Sequence, residues 1–196
     1  MKLSMTLLLP LVCLIPLHGC AKKDQESVVL DNGTAAFPPD VARAIKAACD
    51  QEVPGGIQST AISKEECYLF IAGASNQESS WNLNMRPEAW GQVNNPARGL
   101  TQSRDTDATF VGLDVCRGHL DSDPVCNLRV GLRNLTIRAN TLDAGISVHL
   151  GSPNPGAKPG YLATIKRVWD RADVRSALGI TGTVRDWETV RWVNLR

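Results

Sequence analysis

Ser63 and Glu66 stand just ahead of an apolar series formed by Cys67, Phe70, Ile71 and Ala74. Steps of three and four residues trace one face of a helix, and Ser-x-x-Glu is the capping-box pattern, so a helix starts here. The next step along the stripe reaches Glu78, which sets a carboxylate at the inward edge of an apolar helix. An earlier helix is predicted over 40–49, with Asp40 as its cap and Val41, Ile45 and Ala48 on one side. Asp123-Pro124 opens another, the Asp as cap and the Pro at the first helical position. Its stripe is Val125, Leu128, Leu132, Leu135 and Ala139. Shorter helices are expected over 106–113, 161–169, 172–178 and 183–191, the second of these with Leu162, Ile165 and Trp169 on one side. Between them lie loops over 50–61, 79–103 and 151–160, each marked by Gly and Pro. The 79–103 loop is long for a compact domain, and loops of that length tend to be functional. Alternating strand patterns are scarce and no repeat is visible. The expected fold is mainly α, a single helical domain over 39–196.

The first residues follow a different pattern. Met1-Lys2-Leu3 leads into a mostly apolar run from Met5 to Leu17, then Gly19 and Cys20. A basic start, a short apolar stretch and a small residue describe a secretory signal. The stretch is short for a membrane span, and Pro10 and Pro16 interrupt it, which leaves an interrupted anchor as the alternative. Leu17-His18-Gly19-Cys20 resembles the bacterial lipobox, from which His18 departs. The resemblance implies a signal peptide over 1–19 and a lipidated Cys20 that attaches the chain to a membrane. Ala21 in place of Asp points to the periplasmic face of the outer membrane. Residues 20–38 then form the lipidated N-terminus and a polar tether, ended by Pro38 and Pro39.

Composition adds two constraints. Apolar residues make up 43% of the chain and charged residues 21%, as in an ordinary folded domain. With 21 basic and 20 acidic residues no field of one sign dominates, which argues against nucleic acid as a partner. Cys13 falls in the signal and Cys20 at the lipid site, leaving Cys49, Cys67, Cys116 and Cys126. An even set in an exported chain suggests two disulfides. Of the three possible pairings, Cys49–Cys67 and Cys116–Cys126 are favoured, because each closes a short loop at the edge of a predicted helix. A zinc site is the alternative, but the sequence has no Cys-x-x-Cys pair and only His119 lies near the cysteines. No metal or organic cofactor is implied.

Glu78 is the residue with chemical promise. Cleaving a glycosidic bond needs a proton for the leaving oxygen, and burial against apolar groups equips a carboxyl to supply it near neutral pH. Glu78 ends an apolar helix, precedes a long loop, and has Trp81 three residues on to wall a pocket. On periodicity alone, a Glu at a helix end is more often a surface residue. Its neighbours sharpen the picture. Gln77-Glu78-Ser79-Ser80-Trp81-Asn82 resembles the Glu-Ser-aromatic-Asn segment of the soluble-type lytic transglycosylases, which are lysozyme-like. Gly99-Leu100-Thr101-Gln102 resembles their Gly-Leu-Met-Gln turn, with Thr101 where Met is common. The run from Asp123 to Leu135 resembles their Asp-Pro-x-x-Asn helix. The three pieces occur in the family's order, and the resemblance covers residues from about 65 to 170.

The resemblance implies that Glu78 is the catalytic acid and base. It implies substrate-side roles for Ser79 and Gln102, beside the Trp81 already placed by its spacing, and packing roles for Gly99, Leu100, Asn127 and Gly131. Tyr161 matches the family's aromatic after the Gly-rich loop, at the substrate side or, more often, in packing. The chain departs from the family in a longer stretch between Trp81 and Asn95. It also has Val148-His149-Leu150-Gly151 where a Tyr-Asn-Ala-Gly segment is common, so His149 stands in the place of that Tyr. The implied partner is the glycan strand of peptidoglycan, cut at the β-1,4 bond between MurNAc and GlcNAc to leave 1,6-anhydro-MurNAc. Two other readings stay open. A lysozyme-type hydrolase would use a second carboxylate, for which Asp105 and Asp107 are better candidates than Glu88. A non-catalytic lipoprotein would bind the glycan and leave it uncut.

Overall fold

A computed structural model of the chain describes residues 36–53, 62–86, 95–136, 146 and 157–186. Among them are six α-helices and one 3-10 turn, in the order α1 (Pro39–Glu52), α2 (Lys64–Ser79), α3 (Asp105–Phe110), the turn (Asp114–Cys116), α4 (Pro124–Thr136), α5 (Ala157–Trp169) and α6 (Ala172–Leu178). The protein is mainly α, a helical domain with two disulfides. The bridges are Cys49–Cys67 and Cys116–Cys126, the pairing favoured above. Cys20, His149, Glu88, Trp90, Trp187 and Trp192 lie outside the described residues.

Several helix ends follow their sequence signals. The Ser63 side chain accepts from the Glu66 amide at 3.1 Å while Glu66 accepts from the Ser63 amide at 2.8 Å, which completes the capping box. Asp123 caps α4 by accepting from the Val125 and Cys126 amides. Gly179 ends α6 with φ of 75°, a left-handed geometry that glycine adopts without a Cβ clash. Elsewhere the ends differ from expectation. Asp40 does not cap α1; the helix begins at Pro39, with Pro38 before it, because a proline's fixed φ and missing N–H suit the first helical position. Helix α5 begins at Ala157, inside the predicted 151–160 loop, since Pro159 falls within the first turn and removes no internal bond. Residues 183–186 are not helical, so the last predicted helix does not start at 183.

Helix α2 is the centre of the molecule. The sequence suggested one buried stripe, but every residue from Glu66 to Ala74 is buried, together with Ser75 and Asn76. The reason is that α2 is packed by α1, α4, α5 and α6 at once. Small residues make this possible. A Cβ at Gly73 would stand 2.8 Å from Ile165 Cα, so glycine is what lets α2 and α5 cross in contact. Phe70, Leu69, Ile71, Ile45, Leu132 and Ile165 fill the main core, and Cys49–Cys67 ties α1 to α2 within it. A second, smaller core of Ala108, Val111, Leu113, Cys116, Leu120, Cys126 and Val130 forms beside α4. Glu52 joins α1 to α4. Its carboxylate, 1% exposed, accepts from Arg129 at 2.7 Å and Arg133 at 2.6 Å. No helix among the described residues is long and apolar enough to cross a membrane.

Candidate active site

Glu78 occupies the last turn of α2 and is half-buried. The helix stops one residue later. Ser80 and Trp81 then both take left-handed backbone angles, φ 54° and 62°, and reverse the chain. Two non-glycine residues in succession in that region are uncommon and mark a locally strained turn of the kind that gathers at functional sites.

The reversal lays the Trp81 indole back along α2, where its N–H donates to the Ala72 carbonyl at 2.8 Å. Phe37 meets the ring edge-on, with centroids 4.9 Å apart, and the Arg171 guanidinium lies 5.0 Å from its centroid. Trp81 is therefore a core residue, 4% exposed, and does not wall an open pocket as its spacing suggested. Ser79 is corrected in the same way. Its hydroxyl is buried and donates to the Ser75 carbonyl at 2.9 Å, so it satisfies its own helix.

Tyr161 stands close enough to Glu78 to feel its charge. Helices α2 and α5 run antiparallel: Gly73 meets Ile165, the Thr164 hydroxyl donates to Gln77 Oε1 at 2.7 Å, and Tyr161 faces Glu78. Tyr161 is 2% exposed, the burial of a packing aromatic. Burial pushes its phenol well above the ordinary value of 10, and the Glu78 charge and acceptor oxygens push it further the same way. The phenol thus stays protonated at any pH near neutral, as a donor beside the carboxyl. Sequence alone did not disclose this pairing, because it depends on which turn of α5 meets which turn of α2. Gly73 and Gln77 are local signs of it.

The Gly99–Gln102 turn is built by α4. Gly99 has φ of 67°, and a Cβ there would come 2.7 Å from Asn127 Nδ2. The Asn127 side chain donates to the Arg98 carbonyl at 2.7 Å and the Leu120 carbonyl at 3.1 Å, and accepts from the Thr101 amide at 2.8 Å. Gly131 admits Thr101, whose Cβ would be 2.4 Å from a Cβ at that position. Gln102, with φ of 49°, turns its amide back to the Gly99 carbonyl at 2.8 Å and the Met85 carbonyl at 3.3 Å. Half-buried, it links the turn to the chain that follows Glu78.

The two candidate second carboxylates both brace the first turn of α3. Asp105 accepts from the Gly118 amide at 2.8 Å and lies 3.5 Å from Arg98. Asp107 accepts from the Arg104 amide at 2.8 Å. Among the described residues no group of three or more His, Cys, Asp or Glu side chains is placed to hold a metal ion. The four cysteines expected to pair are in disulfides, and His119 is exposed.

No family model, no curated protein and no solved structure matches the chain.

Proposed function

We propose that the chain is a peptidoglycan-cleaving enzyme with the chemistry of a lytic transglycosylase, in which Glu78 serves as the single acid and base. The observation that carries this reading is the placement of Glu78. It is a half-buried carboxyl at the end of the central helix, followed by a strained reversal and faced by the buried phenol of Tyr161. A general acid needs such a fixed position, with one side open and the other held by protein groups. The engagement of Asp105 with Gly118 and Arg98, and of Asp107 with the start of α3, favours a mechanism with one carboxylate over a hydrolase with two.

In that mechanism Glu78 begins protonated and gives its proton to the glycosidic oxygen as the bond to C1 of MurNAc breaks. The leaving GlcNAc takes that oxygen as a hydroxyl. The Glu78 carboxylate then accepts the proton of the MurNAc C6 hydroxyl while its oxygen bonds to C1. The product is the 1,6-anhydro sugar, no water is consumed, and Glu78 ends protonated as it began. Tyr161 fixes one side of the carboxyl through both half-reactions, and Asn127 supports the Gly99–Gln102 turn beside the chain that follows Glu78.

The site is proposed to work in the cell envelope, with the domain held at a membrane through lipidated Cys20 and its tether. Mass spectrometry of peptidoglycan treated with the full-length chain tests the chemistry. Anhydro-muropeptides that vanish in Glu78→Gln are the expected result. Reducing muropeptides lost in the same variant would point to a hydrolase. Glycan binding without any product would point to a binding module.

A further inference from the structure

Four residues from three separate parts of the chain close a ring around the turn that follows Glu78. Phe37 comes from the start of the folded domain, Trp81 from the reversal after α2, and Arg171 and Asp173 from the junction of α5 and α6. Arg171 lies 5.0 Å over the Trp81 ring. Asp173 holds Arg171 with two bonds, Nε to Oδ1 at 2.9 Å and Nη2 to Oδ2 at 2.6 Å. The same carboxylate accepts from the Phe37 amide at 3.4 Å, and the Phe37 ring returns to Trp81 at 4.9 Å.

The ring has an arrangement that packing alone does not require. Trp81 already satisfies its N–H at Ala72, and its neighbour Phe37 is an apolar core residue. A guanidinium held by a two-point carboxylate is instead placed at the aromatic face. Such a fork fixes orientation as well as contact. Arg171 also follows directly on α5, the helix that carries Tyr161. One cation therefore fastens the turn that follows Glu78 to the helix whose phenol faces Glu78.

We propose that Arg171, held by Asp173, is a positioning residue that sets the spacing of Glu78 and Tyr161 by clamping Trp81. The catalytic purpose of the clamp rests on the glycosidase reading above. The two left-handed residues Ser80 and Trp81 are where the clamp acts, because a strained turn persists only when its surroundings hold it.

Arg171→Ala and Arg171→Lys in the full-length chain test this, with three readings taken on each. These are kcat and KM on peptidoglycan, the fraction folded, and the carbon-13 resonance of the Glu78 carboxyl at fixed pH. In Arg171→Ala the expected outcome is a fall in kcat of about tenfold or more with KM changed less than about twofold. The Glu78 signal should move while the protein stays folded. Arg171→Lys should recover part of kcat, since a cation returns over the ring without the fork. A loss of kcat no larger than the loss of folded protein, with the Glu78 signal unmoved, would overturn the proposal. Wild-type protein that releases no muropeptide would overturn the glycosidase reading and the catalytic purpose with it. A Glu78 signal displaced in Arg171→Ala of that same protein would still support the clamp's hold on the carboxyl.

Discussion

The amide of Thr101 donates to Asn127 Oδ1 at 2.8 Å, across 26 residues of sequence. That bond joins a turn of the candidate site to the face of α4. The Thr101 hydroxyl reinforces it at 2.9 Å to the same oxygen, and the Asn127 amide nitrogen reaches two further carbonyls. Asn127 is fully buried, so water cannot replace these partners when the side chain is cut. Asn127→Ala leaves at least one buried donor and two carbonyls without this partner. A loss of about 2–4 kcal/mol in denaturant unfolding is expected, from the cost of unsatisfied buried groups. Asn127→Asp keeps the acceptor and loses the donors, so its loss should be similar. A loss below about 0.5 kcal/mol in both would show that the turn stands without Asn127.

Gly73 tests the α2–α5 crossing. A Cβ there would be 2.8 Å from backbone at Ile165, and backbone cannot rotate away as a flexible side chain can. Gly73→Ala must push α5 outward, and Tyr161 travels with it. Overpacking of this kind costs about 1–3 kcal/mol. The helix gains part of this back, about 1 kcal/mol, because alanine suits a helix interior better than glycine. The expected result is a small drop in stability beside a larger drop in kcat. Unchanged kcat would mean that the crossing distance does not govern the site.

Acid should loosen the chain in two stages. Burial alone would raise the Glu66 carboxyl, but hydrogen bonds from Arg185 and the Ser63 amide, with the Arg185 charge, outweigh it and hold the group below its ordinary 4.5. A carboxyl with a lower value in the folded chain binds protons more readily when unfolded. Its contribution is complete above pH 4.5 and is lost as pH falls toward the folded value. Asp173 follows lower down. Its hydrogen bonds to Arg171, more than offsetting partial burial, draw it from 3.8 to about 2. The Asp173 side chain is 46% exposed, so its step should be shallow, within the ~1 kcal/mol of an exposed ion pair. Chemical unfolding followed from pH 6 to pH 2 checks this. Glu66→Gln should flatten the upper part of the slope and Asp173→Asn the lower. A slope unchanged in both variants would assign acid sensitivity to other groups.

Much of the fold was legible in local pattern. The capping box at Ser63, the Asp123-Pro124 start, the helix over 172–178 and both disulfide pairings depend on residues close in sequence or on simple counting. The site was legible only in part. Glu78 was marked by its position at the end of a stripe, but the neighbours given substrate roles turned inward. Ser79 ends a helix packed by four others and bonds back to its own Ser75, and the left-handed angles at Ser80 and Trp81 fold the indole back onto that helix. One apolar stripe read in isolation gives no sign that four helices surround α2. The Arg171 contact joins positions 90 residues apart, a relationship that no spacing rule describes.

Tyr161→Phe separates a packing role from a chemical one. The ring stays and only the hydroxyl goes, in a site that is 2% exposed. No cavity larger than one oxygen is left, and a buried polar atom is removed, so stability should stay within about 1 kcal/mol of wild type. The chemistry should respond differently. A hydrogen bond to a charged group contributes about 1.5–3 kcal/mol, which corresponds to roughly a ten- to hundredfold change in rate. The phenol is close to Glu78, and the proposed mechanism leaves that carboxyl charged between its two proton transfers. Its removal should therefore lower kcat by that range while leaving KM nearly unchanged, because the buried phenol does not contact substrate. Kinetics on peptidoglycan beside thermal melting make the comparison. Wild-type kcat in a fully folded Tyr161→Phe would reduce Tyr161 to a core residue and leave Glu78 to be held from the α2 side alone.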